Sequence, residues 1–208
     1  MITDQQPSDE QLLGELLASS TADEATTGRL HDLLATRAQR EGLLDVAYRT
    51  VDSPVGSLLL AATSAGLVRV AFDQEGHDDV LAQLATDISP RILRAPERLD
   101  DVAHQLDEYF TGRRRRFDLA VDLQLVRGFR RTVISRLTAI AYGTTASYAA
   151  IAVAAGSPAA VRAVGSACAN NPVPLVVPCH RVVRSDGTIG QYLGGVEAKA
   201  ALLALEAA

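Results

Sequence analysis

Residues 147–183 read SYAAIAVAAGSPAAVRAVGSACANNPVPLVVPCHRVV, and three parts of that stretch organise the rest of the chain around them. Ser147 to Ala155 makes a short helix of small and aliphatic residues that Gly156-Ser157 breaks. Pro158 suits the first turn of a following helix, where a missing N–H has no partner to lose; Ala159 to Ala167 then carries one charged side chain, Arg162. Two short helices joined by a glycine-containing turn are the pattern of a DNA-binding helix-turn-helix, and also of a plain helical hairpin packed in a core. An arginine on a small-residue surface is costly to bury, and such a surface can approach a duplex closely with few side chains to read base edges. Beyond Asn170-Asn171-Pro172 the apolar Val173 to Val177 leads into Pro178-Cys179-His180-Arg181-Val182, a nucleophile beside a base. A thiolate attacks carbon far better than a thiol, so this reading expects a low-pKa cysteine at 179.

Outward from that stretch, Leu44 to Val51, Leu58 to Ala62 and Gly66 to Phe72 read as strands of an antiparallel meander, with a covering helix over 78–87. A helix from Leu99 to Phe110 ends at Thr111-Gly112, where glycine admits the left-handed conformation. Arg113 to Arg116 read as a solvated loop. Helices follow at Phe129 to Ala141 and at Val196 to Glu206, while residues 1–45 hold two amphipathic patterns, Glu10 to Leu17 and Leu30-Leu33-Leu34. The expected class is α+β: a small amino-terminal antiparallel sheet with a covering helix, then an all-helical carboxy-terminal domain holding the helix-turn-helix and the active-site cysteine. Three segments follow: a helical extension of unknown role over 1–45, an α/β domain over 46–125, and a DNA-binding and nucleophile domain over 126–208.

A chain of 208 residues with 48% hydrophobic and 22% charged residues is globular rather than disordered. No apolar run reaches the roughly 18–20 residues that cross a bilayer, and the start, Met1 to Pro7, is polar and acidic, so a cytoplasmic protein without a membrane partner is expected. Cys168 and Cys179 are too few for a disulfide scaffold, although a bridge between them stays open. His31, His77, His104 and His180 lack metal-ligand spacing, so no metal or cofactor is expected. The net charge of −5 conceals an asymmetry: residues 126–208 hold eight basic and three acidic residues, +5, leaving −10 on the remainder. A polyanion could dock on one half and be repelled by the other, or the charges could simply be solvated.

The chain resembles the methylated-DNA-protein-cysteine methyltransferases, the O6-alkylguanine-DNA alkyltransferases. The resemblance rests on Arg162-Ala163-Val164-Gly165, Asn171-Pro172-Val173-Pro174, Pro178-Cys179-His180-Arg181-Val182, Gly190 to Gly195 and Lys199, over about residues 128–206, and more weakly on Asp52 to Gly56 and Gly66-Leu67. It implies a ribonuclease H-like fold for 46–125. It implies direct-reversal repair of duplex DNA, in which an alkyl group moves irreversibly from guanine O6, and from thymine O4, to Cys179 of a monomer. A thioether is a poor leaving group, so the protein would act once. In this resemblance His180 is the base, reaching Cys179 through water because neighbours on an extended segment point apart; Glu206 orients it, Tyr148 serves guanine N3, and Asn171 braces the turn. Arg162, with Ala163 and Gly165, contacts DNA and fills the stack where the target nucleotide is extruded, since a stacked base is out of a buried thiol's reach. The carbonyls of Cys179 and Val182 accept from the guanine amine, and Tyr192 and the N–H of Leu193 line the pocket near O6. Leu193 stands where some relatives have a small polar residue, which leaves the alkyl range open. The competing reading is a catalytically inert lesion-recognition protein, against which the cysteine itself argues.

Overall fold

The structure is a computed structural model that describes residues 26–31 and 33–207. The chain divides after Leu44. Within the first unit, residues 26–31 and 33–40 are helical, with Leu30, Leu33 and Leu34 exposed; the helix expected at Glu10 to Leu17 lies outside the described residues.

The second unit opens with a four-stranded sheet built from β1 (Val46–Val51), β2 (Leu58–Thr63), β3 (Gly66–Phe72) and β4 (Ile92–Arg94), in the order β3-β2-β1-β4. The first three form the expected antiparallel meander. Successive side chains of a strand face opposite ways, so Leu58 and Leu60 of the central β2 enter one core while Leu59 and Ala61 enter another with Val46, Val68 and Ala71. Helix α1 (His77–Asp87) closes that second core with Val80 and Leu84. The fourth strand corrects the purely antiparallel expectation: β4 pairs parallel to β1, Val46 opposite Ile92. Three residues are too few to display a period of two, and a parallel partner needs a crossover, which α1 supplies.

Helix α2 (Asp100–Phe110) buries Val102, Leu106 and Tyr109 at helical spacing and stops at Gly112, whose φ is +73°. Two of the four consecutive arginines fold back on it: Arg113 pairs with Asp107 and Arg114 with Glu108, both at 2.8 Å. The connecting segment then runs along β3, with Leu67 N–H donating to the Ala120 carbonyl at 2.9 Å and Asp122 N–H to that of Leu67 at 2.9 Å. Only glycine fits at Gly66, because a Cβ there would lie 2.4 Å from the Ala120 oxygen.

The carboxy-terminal half comprises α3 (Gly128–Leu137), α4 (Tyr148–Ala154), α5 (Val161–Ala169) and α6 (Gly195–Ala207). It departs from all-helical in one small feature: β5 (Ala146–Ser147) pairs in parallel with β6 (Val182–Val183). Two-residue strands carry no sequence signature, yet this pair fixes the start of α4 to the end of the cysteine motif. Ser147 caps α4, its Oγ accepting from Ala150 N–H at 3.1 Å. Helix α5 begins at Val161, not at Pro158, because Ser157 to Ala160 make a separate turn. Helices α4 and α5 pack on each other and on α3.

Candidate active site

The backbone from Asn171 to Arg181 is wound into consecutive tight turns before β6 begins. Val177 N–H donates to the Val173 carbonyl at 2.9 Å and Cys179 N–H to that of Val177 at 2.8 Å, and Cys179–Arg181 forms a single 3-10 turn. Leu175 takes a left-handed φ of 72° although its side chain is buried, a conformation costing about 1–2 kcal/mol that the surrounding packing must hold. The segment is therefore not extended. Successive residues of a 3-10 turn are about a third of a turn apart, and this, instead of strand alternation, separates Cys179 from His180. Asn171, fully buried, organises the loop: its Nδ2 donates to the Val177 carbonyl at 2.9 Å and to Cys179 Sγ at 3.1 Å, while its Oδ1 accepts from Val173 N–H. The β3 strand holds the same loop, Val70 N–H donating to the Pro172 carbonyl at 2.8 Å.

Cys179 is 2% exposed. Burial pushes its thiol up to about 11, against the opposing pull of the Asn171 hydrogen bond and the Lys199 charge. This overturns the expectation of a low-pKa cysteine: desolvation of the charged form outweighs its favourable partners. Cys168 is also a free, buried thiol, raised to about 12 by burial and by the neighbouring Cys179.

His180 is buried, and burial lowers its pKa against the opposing effect of Glu206. Burial alone would raise the pKa of Glu206, but hydrogen bonds from His180 and Arg181 outweigh it and hold it at about 2. Glu206 is thus a carboxylate that can only accept, so the proton of neutral His180 sits on Nε2, 2.8 Å from Glu206 Oε1. That leaves Nδ1 as the basic lone pair, buried and without a hydrogen-bond partner among the described residues.

Four further groups, to which sequence pattern assigns no role, complete the site. Arg181 grips both oxygens of Glu206, Nε at 2.8 Å and Nη2 at 2.9 Å, and donates through Nη1 to the Ile140 carbonyl at 2.6 Å. Tyr109, from α2, donates to Glu206 Oε1 at 2.7 Å, and Gly143 N–H donates to Oε2 at 3.2 Å. Lys199 is wholly buried, its Nζ 2.5 Å from the Val182 carbonyl and 6.0 Å from the centre of the Tyr148 ring. Arg181 had a legible signal, since an arginine inside an apolar run calls for a carboxylate. Tyr109 had none, because a tyrosine on the apolar face of a helix reads as core.

Cys179, Asn171, His180 and Glu206 are therefore brought together, with Tyr148 beside them: burial raises its pKa, followed by its proximity to Cys168 and Cys179. The Val182 carbonyl accepts from Lys199, using one of its two lone pairs. Tyr192 stacks edge-on against His180 at 6.3 Å, and the Leu193 carbonyl accepts from Gln74. Arg162 and Ala163 are exposed on α5 and stand apart from this cluster; Gly165 faces open space, with no atom within 4 Å of an added Cβ. Among the described residues no group of three or more His, Cys, Asp or Glu is placed to hold a metal ion, and no helix is long and apolar enough to cross a membrane.

A small sheet followed by packed short helices, with a buried cysteine bonded to asparagine and followed by a histidine paired to glutamate, defines a class of proteins built around an enclosed thiol. Residues 46–123 match the family described as 6-O-methylguanine DNA methyltransferase, ribonuclease-like domain, and residues 128–208 match its DNA binding domain. A methylated-DNA–protein-cysteine methyltransferase of Mycobacterium tuberculosis is 37% identical over 163 residues, covering 77% of this chain and 92% of the relative. The constitutive enzyme of that name from Bacillus subtilis is 37% identical over 160 residues, covering 76% and 94%. The crystal structure of Mycobacterium tuberculosis OGT in complex with DNA superposes with a TM-score of 0.65 at 36% identity, covering 77% of this chain and 92% of that one. The chain belongs to the 6-O-methylguanine DNA methyltransferase family.

Proposed function

We propose that this protein repairs duplex DNA by moving an alkyl group from O6 of guanine to Cys179. The observation that carries the reading is the buried thiol held by Asn171 beside His180, whose Nε2 is committed to Glu206 and whose Nδ1 is left free to take a proton. The thiol proton passes through a bridging water to His180 Nδ1, the sulfur displaces the guanine oxygen at the alkyl carbon, and the S–C bond forms as the C–O6 bond breaks. Electrons of the broken bond stay on O6, and a hydrogen bond from Tyr148 to N3 supports the leaving base, which takes a proton from water to give guanine, balanced by the proton that His180 then returns to water. The imidazolium is stabilised by Glu206 until it releases its proton. A thioether is a poor leaving group, so the alkyl group stays on the sulfur and each chain acts once; the protein works as a monomer.

Arg162, exposed on a surface of small residues, supports a role in filling the gap left by an extruded nucleotide, and Ala163 and Gly165 allow the close approach. The same pocket chemistry extends to O4 of thymine. Incubation with duplex DNA containing O6-methylguanine is expected to add one methyl group to the intact mass of the protein, and Cys179→Ala to abolish the gain. An unchanged mass for folded, DNA-binding protein would refute the reading. Arg162→Ala is expected to slow repair of duplex DNA by about ten- to a hundredfold, a fraction of the few kcal/mol that unstacking costs, while leaving reaction with free O6-benzylguanine nearly intact. Equal losses on both substrates would remove the extrusion role.

A further inference from the structure

The segment 190–194 runs past Tyr148 and His180, which flank Cys179, and is held at both ends. At one end Gly190 presses on Tyr148, since a Cβ there would be 2.8 Å from the tyrosine hydroxyl. In the middle the Tyr192 ring meets His180 edge-on, and its hydroxyl is buried with no hydrogen-bond partner among the described residues. The other end rests on the amino-terminal sheet. Tyr192 packs edge-to-face on Phe72 at 5.5 Å, and a Cβ at Gly194 would come within 2.6 Å of the same ring. The Gln74 amide Nε2 donates to the Leu193 carbonyl. Phe72 ends β3 and Gln74 belongs to the turn that follows it, so the contact joins residues 119 positions apart.

Cys179 cannot receive an alkyl group without room beside it, because the thiol is already buried. Leu193 also borders an open, largely polar pocket of about 310 Å³, lined among others by Arg69, Glu75, Leu84, Arg130 and Pro172. Released from Gln74, Leu193 has that space to shift into.

We propose that Gln74 and Phe72 are positioning residues that clamp segment 190–194 against the groups that flank Cys179 and thereby limit the size of the alkyl group the protein accepts. The inference rests on Cys179 being the alkyl acceptor. It makes the amino-terminal domain a determinant of substrate range, although none of its residues need touch the alkyl group. Gln74 is exposed, so substituting it leaves the core intact. Gln74→Ala removes the donated N–H, and the isosteric Gln74→Glu replaces it with an acceptor facing a carbonyl.

The test is the rate of Cys179 alkylation, followed by intact mass, on duplexes carrying O6-benzylguanine or O6-methylguanine. Both variants are expected to raise the benzyl-to-methyl rate ratio by about tenfold, the worth of one net hydrogen bond. Gly194→Ala, which pushes the segment off Phe72, should move the ratio the same way. An unchanged ratio in both Gln74 variants, with wild-type protein transferring both groups, would overturn the clamp. No transfer by wild-type protein from either duplex would overturn the acceptor reading itself.

Discussion

Glu206→Ala is expected to lower stability by about 3–5 kcal/mol and Tm by roughly 6–20 °C, because it strands a buried guanidinium and a buried imidazole. The carboxylate accepts five hydrogen bonds, from His180, Tyr109, Gly143 and twice from Arg181. Those donors come from α2, the loop after α3 and the cysteine turn, so one side chain on α6 joins both halves of the molecule. Thermal unfolding measures the loss, and a change within about 0.5 kcal/mol, the size of an ordinary surface substitution's effect, would show the network to be dispensable. The carboxyl falls from its ordinary 4.5 to about 2 on folding, so its contribution is full above pH 4.5 and disappears as the pH drops toward 2. Glu206→Ala should accordingly flatten the stability profile between those values. An acid limb as steep as that of wild type would assign acid sensitivity to other groups.

His180→Ala is expected to slow alkyl transfer at pH 7 by about 10²–10⁴-fold, the usual span for removing a general base. With the thiol raised to about 11, the variant depends on the small thiolate fraction, and its rate should climb about tenfold per pH unit below that value. Wild-type protein should instead hold a nearly level rate through neutral pH, because the pKa of His180 is pushed below 6.5 and the ring stays a neutral base there. Its rate falls only as the pH drops into the range where the imidazole gains a proton. Single-turnover rates across pH, with retained duplex binding as the control for folding, separate the two profiles. Parallel profiles would mean that His180 does not carry the proton.

The two effects share a cause, which is that burial sets the chemistry. A solvated Cys179 would ionise readily and react with whatever it met. Buried, it stays a thiol, and the proposed relay would deprotonate it through a base whose tautomer and counter-charge are set by Glu206 and Arg181. Lys199, buried without a carboxylate partner among the described residues, adds the positive charge that favours the thiolate. Its own pKa is lowered, chiefly by burial, with Cys179 and Cys168 pulling the other way.

Much of this protein was legible in short-range pattern. Glycine at 112 and 156, proline at 158 and helical spacing on α2 locate the helices within a few residues, because local conformational preference acts over a turn or two. The motif around Cys179 and the small residues of α5 likewise announce a nucleophile and a surface of small side chains. What sequence alone could not determine is everything set by approach between distant segments. Strands β4, β5 and β6 are too short to carry a period. The carboxylate of Glu206 meets Tyr109 across 97 positions and Arg181 across 25, and Gln74 meets Leu193 across 119. The thiol pKa lies beyond sequence for the same reason: residue type gives the intrinsic acidity, but only the tertiary structure decides how completely water is excluded, and here that exclusion outweighs every favourable neighbour.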